Sequence, residues 1–140
     1  MNKTFNYEIA IPSYNRKHII KERSIKLLES YNFPKEKVKI FLRDEEQLEM
    51  YKETIGDDYT YILTGCSGIM ETRNFLRYYY HEDCPDDLEG VLFLDDDIEE
   101  FNELVDNKLE PVMDLDIVVQ QMFLKTKELG FRLWAPSAYN

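Results

Sequence analysis

The chain has 140 residues, 44% of them hydrophobic and 14% aromatic, with a formal net charge of -11. Such aromatic richness excludes a disordered chain, and the length fits one domain over residues 1–140 with a buried core. With a pI near 4.6, the acidic balance speaks against broad attraction to nucleic acid; it suits a divalent-cation site, or simply a solvated acidic surface.

The first residues, Met1-Asn2-Lys3-Thr4-Phe5-Asn6, lack the apolar run of a signal peptide. Tyr7-Glu8-Ile9-Ala10-Ile11 then reads as a strand stopped by Pro12. Pro12–Arg16 is turn-like, with Ser13 or Asn15 placed to cap the following helix. From Lys17 to Tyr31, Ile20, Leu27, Leu28 and Tyr31 recur at helical spacing, and Asn32-Phe33-Pro34 ends the helix. Val38–Leu42 is a second strand. Arg43-Asp44-Glu45-Glu46 opens a helix carrying Leu48, Tyr51 and Ile55, and Gly56 stops it.

Tyr59–Leu63 is a third strand, and Thr64–Gly68 a small-residue loop. In the helix that follows, Ile69, Thr72, Leu76 and Tyr79 mark the inner face. A polar loop with Pro85 leads from His81 to Gly90. Val91–Leu94 is a fourth strand, and a stretch to Glu110 precedes a helix around Met113–Leu129. Phe131–Ala135 reads as a fifth strand. Strand–helix alternation of this kind predicts an α/β domain with a mainly parallel sheet covered by helices. Right-handed crossovers then gather Pro12–Arg16, Arg43–Glu45, Thr64–Gly68 and Asp95–Asp97 on one sheet edge.

The run Val91-Leu92-Phe93-Leu94-Asp95-Asp96-Asp97 carries the chemistry. Three adjacent acids repel one another, and nothing structural requires them. Strand alternation would aim Asp95 and Asp97 to one side and Asp96 away, and two convergent carboxylates suit Mg²⁺ or Mn²⁺. A solvated acidic loop is the plain alternative. Around this edge, Arg16 and Arg73 are cations for a phosphate, Asp44 an acceptor for a base or ribose, and Tyr14 a stacking face. Each has a structural counterpart: surface ion pairs for the arginines, a helix-start acid for Asp44, a packed turn residue for Tyr14. The Gly65-Cys66-Ser67-Gly68 loop is no Walker motif.

Elsewhere the signals are structural. His18 and His81 have no Ser or Cys partner placed by sequence, so a triad has no support. Trp134 is expected in the core or in a cleft wall, and Tyr78-Tyr79-Tyr80 in helix packing. Cys66 and Cys84 lie 18 positions apart without a zinc pattern and read as free thiols in a reducing cytoplasm. No stretch approaches the roughly 18 apolar residues of a membrane span.

Ile11-Pro12-Ser13-Tyr14-Asn15-Arg16 resembles the opening of nucleotide-sugar glycosyltransferases of the GT-A fold, family two in type. Gly68-Ile69-Met70-Glu71-Thr72-Arg73-Asn74 resembles their G-x-x-x-A-R-N helix, and Asp95-Asp96-Asp97 their DxD metal motif. The three stand in family order over about residues 7 to 100. The resemblance implies a Rossmann-like sheet with helices on both faces. It also implies metal-dependent transfer of a sugar from a nucleoside diphosphate sugar to an acceptor hydroxyl, with Mn²⁺ or Mg²⁺ as cofactor. Carried onto this chain, it makes Pro12, Tyr14, Arg16, Asp44, Arg73, Asp95 and Asp96 candidate substrate-binding residues, and Asp95 and Asp97 candidate metal ligands.

Leu133-Trp134-Ala135-Pro136 with Tyr139-Asn140 is similar to the phage and bacterial group that acts on modified DNA bases, which makes such a base a candidate acceptor. The chain departs from the family pattern in two places. Leu42-Arg43-Asp44-Glu45 replaces the usual D-D-G-S type of loop, and no catalytic carboxylate base is assignable. The chain therefore reads as the donor-binding half, truncated before its acceptor part, with an uncovered sheet edge that suggests a homo-oligomer. A non-catalytic nucleotide-binding or interaction module, or a metal-dependent nucleotidyltransferase, are the competing readings.

Overall fold

The computed structural model describes residues 4–82 and 87–136. Cys84, Pro85, Tyr139 and Asn140, which enter the expectations above, lie outside the described residues. The described residues fall into two compact units: Asn6–Glu100, and Phe5 together with residues 101–136.

In the first unit, β1 (Tyr7–Pro12) pairs in parallel with β2 (Val38–Leu42) on one side and β4 (Gly90–Phe93) on the other. β2 in turn pairs in parallel with β3 (Thr60–Leu63), giving the order β3-β2-β1-β4. This is an α/β fold of Rossmann-like order. The chain steps outward from β1 to β3 and then returns to β1's other edge, so strand order reverses between β1 and β4. In open α/β sheets, the carboxyl edge at that reversal is where ligands bind.

Between β1 and β2 runs α1 (Lys17–Ile20), a π-helical segment (Lys21–Ile25) and α2 (Lys26–Ser30). Ile20, Leu27 and Leu28 are buried, as the apolar spacing predicts, while Tyr31 is half-buried and Ile25 joins the buried set. α3 (Glu45–Ile55) links β2 to β3, and α4 (Ile69–Glu82) links β3 to β4. Right-handed crossovers put α1–α3 on one face and α4 on the opposite one, because the last connection runs backwards across the sheet. On the α4 face, Leu76 with Phe75, Tyr79 and Tyr80 packs on Ala10, Phe41, Ile62 and Val91. Alternation turns Tyr7, Ile9 and Ile11 to the other face, where the Tyr7 ring meets Phe33, 6.0 Å between centroids.

The inner face of α4 differs from the sequence expectation. Ile69 is 67% exposed, and Phe75 and Tyr80 take up the packing with Leu76 and Tyr79. Packing on four strands recruits a wider stripe than a single apolar row. Tyr78, in the middle of the tyrosine run, stays exposed.

The second unit holds an antiparallel hairpin, β5 (Asn102–Val105) and β6 (Lys108–Pro111), and α5 (Leu115–Glu128). Asp106 and Asn107 both adopt positive φ, 50° and 62°, as a two-residue hairpin turn of type I′ requires. α5 begins at Asp114, whose carboxylate accepts the Ile117 N–H. The expected fifth strand at 131–135 is not formed. Instead Gly130, at φ 76°, lets Phe131 N–H bond back to Thr126 O and close the helix, and Phe131 and Leu133 stay exposed. Trp134 is half-buried, edge-on to Phe123, which also stacks on Phe5. No helix of the described residues is long and apolar enough to cross a membrane.

Candidate functional site

At the carboxyl edge of the four-stranded sheet, the loops after all four strands meet around a crevice of about 430 Å³. That volume suits a nucleotide-sized ligand. Pro12, Ser13, Tyr14 and Arg16 come from the β1 loop, and Arg43 from the start of the β2 loop. Thr64, Cys66, Ser67 and Gly68 follow β3, Thr72 and Arg73 belong to the first turns of α4, and Asp95–Asp97 follow β4. The candidate site residues expected at this edge all line the crevice, with one exception. Asp44 is not among the lining residues.

Asp44 instead works as a helix cap. One carboxylate oxygen accepts the Gln47 N–H at 3.1 Å and the other the Arg43 Nε–H at 2.7 Å. The Arg43 hydrogen bond, then the Gln47 backbone, hold its carboxyl below the usual range. The same bond raises Arg43, whose guanidinium lies 4.5 Å over the Tyr14 ring. Tyr14 and Arg43 therefore form one flat, partly exposed face at the crevice wall.

The acidic loop is arranged differently from the strand-alternation expectation. β4 ends at Phe93, and Asp96 and Asp97 lie in a turn, so period-2 alternation no longer governs where they point. Asp96 is the inward residue, 4% exposed, whereas Asp95 is exposed and Asp97 half-buried. Ser13 Oγ donates to Asp96 Oδ2 at 2.5 Å. Arg16 spans both acids, with Nη1 3.0 Å from Asp96 Oδ1 and Nη2 2.9 Å from Asp97 Oδ2. That hydrogen bond to Asp97 raises the Arg16 pKa above its ordinary value, against the opposing effect of burial.

Helix α3 holds this arrangement from behind. The fully buried Tyr51 places its hydroxyl 2.7 Å from Ser13 Oγ and accepts the Arg16 N–H at 3.0 Å. Because Ser13 gives its proton to Asp96, the Tyr51 hydroxyl donates to Ser13. Burial pushes the Tyr51 phenol up from its ordinary value. One turn earlier, buried Gln47 accepts Asn15 N–H at 2.9 Å and donates to Asn15 Oδ1 at 2.7 Å. This amide pair holds Asn15 at φ 53°, a left-handed conformation that Asn tolerates. Neither Ser13 nor Asn15 caps α1, which has no side-chain cap. Both are used for the site instead.

Ser24 completes the frame. It sits in the π-helical segment, fully buried, donating to Asp95 O at 2.6 Å and accepting Ile98 N–H at 3.0 Å. The widened turn thereby clamps both ends of the acidic loop, a placement typical of π-bulges near functional sites. Sequence reasoning passed over Ser24, Gln47 and Tyr51. Their signal was a polar atom on a buried helix face: Ser24 follows Ile20 by four residues, and Gln47 precedes Tyr51 by four.

Across the crevice, Glu71 accepts from the Ser67 N–H at 3.2 Å and from its hydroxyl at 3.3 Å, fixing the loop to the start of α4. Arg73 is exposed there. His18 and His81 line no part of the crevice, and His81 contacts Glu82. Cys66 is a free thiol.

Among the described residues no three His, Cys, Asp or Glu side chains form a metal cage. A Mg²⁺ or Mn²⁺ ion needs as few as one or two protein carboxylates, and Asp95 and Asp97 are the two at the crevice that retain solvent exposure. Any ion at Asp97 would share that carboxylate with Arg16. No protein-family model, curated protein or solved structure matches the chain.

Proposed function

We propose that the Asn6–Glu100 unit binds a nucleoside diphosphate sugar and serves a metal-dependent glycosyl transfer to an acceptor hydroxyl. The observation that carries this reading is the crevice at the β1/β4 strand-order reversal, where carboxylates, guanidinium groups and an aromatic face converge. The Tyr14–Arg43 face suits a base, which any π surface accepts. Arg73 and Arg16 supply positive charge for a diphosphate. Asp97, with Asp95, would hold Mn²⁺ or Mg²⁺, which supplies Lewis-acid neutralisation of the departing diphosphate. Asp96 keeps its place by accepting Ser13 and Arg16, and so orients the loop rather than the ion.

A thermal-shift panel of UDP, GDP, CDP, ADP and dTDP, each with and without Mn²⁺, tests the reading. Stabilisation by one of them only when metal is present is the expected result, since ligands that bind the folded state raise its melting point. Asp97→Ala should erase that shift; an unchanged shift in the variant removes the metal assignment. A non-catalytic binding module is the second reading, favoured by the way Arg16 already pairs with Asp96 and Asp97. It predicts nucleotide binding with no transfer or donor hydrolysis. Pyrophosphate release from a nucleoside triphosphate would instead mark a nucleotidyltransferase.

A further inference from the structure

Arg16 is held at four points that differ in strength. Its backbone N–H is fixed on Tyr51, and its carbonyl accepts the Ile20 N–H at 3.0 Å. One arm of the guanidinium, Nη1, reaches Asp96, whose side chain is 6% exposed. The other arm, Nη2, reaches Asp97 on the solvent side, where the two side chains are 41% and 39% exposed. An exposed ion pair of this kind contributes little and exchanges readily. The buried arm does not.

Charge sets what can displace the outer arm. Three carboxylates border the crevice, Asp95, Asp96 and Asp97, and Arg16 pairs with the last two. A divalent cation alone would sit beside the Arg16 guanidinium on a shared carboxylate, like charge against like charge. A cation arriving with a diphosphate avoids this, because the phosphate oxygens neutralise both the ion and the freed guanidinium arm.

We propose that Arg16 is a partner-exchanging counter-ion: its outer arm passes from Asp97 to the diphosphate when metal and nucleotide enter together, while its inner arm stays on Asp96. The inference rests on the donor-site reading above and adds a rule to it. The crevice disfavours bare metal and takes the metal–diphosphate pair, so metal and nucleotide affinities are coupled through one side chain.

The test measures Mn²⁺ binding alone, by the electron paramagnetic resonance signal of the free ion, and binding of each nucleoside diphosphate of the panel at saturating Mn²⁺. Both are run on the wild-type chain and on Arg16→Gln. The variant should bind bare Mn²⁺ about tenfold more tightly, the size expected for removing a like charge a few ångströms away in a solvated site. It should bind the metal–nucleotide pair about tenfold more weakly, having lost a charged hydrogen bond. Opposite signs support the exchange. Weakening of both shows Arg16 to be a mere structural brace, and unchanged nucleotide affinity shows that it never reaches the diphosphate; either result overturns the proposal.

Failure of the wild-type chain to bind any nucleotide with metal sinks the donor-site reading itself, and is seen without the variant. Should Arg16→Gln not fold, Arg16→Lys carries the test. An ammonium keeps the charge but cannot span both carboxylates. Bare Mn²⁺ should then bind only slightly more tightly and the nucleotide pair still more weakly, and equal affinities to wild type would overturn the exchange.

Discussion

The loops after β1 and β4 and the loop after β3 line the same crevice, yet they are held in different ways. The first pair is tied from behind by buried polar side chains: Ser24 on the acidic loop, Gln47 on Asn15, and Tyr51 on Ser13 and Arg16. The β3 loop is exposed from Gly65 to Gly68, apart from half-buried Cys66, and is held by local bonds to Thr64 and Glu71 and one backbone bond to Arg43. One side is preorganised, its ordering cost met when the chain folds. The other contributes contacts with little share in the fold's stability. Substitutions on the tied side should therefore act on stability first, and those on the open side on ligand affinity alone.

The largest effect is expected at Asp96. Asp96→Ala removes the acceptor shared by the half-buried Ser13 hydroxyl and the inner arm of Arg16. We expect a loss of about 2–3 kcal/mol in urea unfolding, below the usual figure for a broken buried pair because Arg16 is half exposed and keeps Asp97. Asp96→Asn should recover part of it through the Ser13 bond. A loss no larger than that of a surface substitution would mean that the acidic loop is not tied at all.

Tyr51→Phe comes next, at about 1 kcal/mol, because the ring still packs and only the hydroxyl's two contacts go. Its pH dependence sharpens the comparison. Burial raises the folded phenol above its ordinary value near 10.0. Its contribution is therefore complete below about pH 10 and is lost as pH rises through the folded value, since the unfolded phenol ionises first. The stability gap between wild type and Tyr51→Phe should narrow above pH 10. A gap that holds steady there would place the hydroxyl in water.

How much of this was legible in the sequence divides along the same line. Strands β1 to β4 and the helices between them follow from apolar period and breakers, because each is specified locally by which face is buried. The hairpin at Asn102–Pro111 was missed, since Asp106-Asn107 makes the turn without the glycine that usually marks it. Phe131–Ala135 looked like a strand because it is apolar and aromatic, but it follows the helix closure at Gly130 as irregular chain. At the site, Arg16 and the acids could be singled out by residue type. The roles of Ser24, Gln47 and Tyr51 could not, because each depends on bonds between residues 32 to 74 positions apart. Asp44 shows the reverse case: its local role as a helix cap, weighed against ligand binding from sequence alone, is the one the geometry displays.

The smallest effect on stability, and the sharpest test of the comparison, belongs to Arg73. It stands exposed on the first turns of α4, on the open side of the crevice. Arg73→Ala should change urea stability by no more than about 0.5 kcal/mol, as for surface positions generally. If the side chain meets a diphosphate, nucleotide affinity in the presence of Mn²⁺ should fall about tenfold, the cost of one charged hydrogen bond. The pairing of an unmoved stability with a lowered affinity is what an open, contact-making side requires. A destabilisation matching that of Tyr51→Phe would erase the distinction between the two sides. Unmoved affinity would leave the diphosphate to Arg16, and the exchange of its outer arm would then have to supply all the cationic contact from this half of the sheet edge.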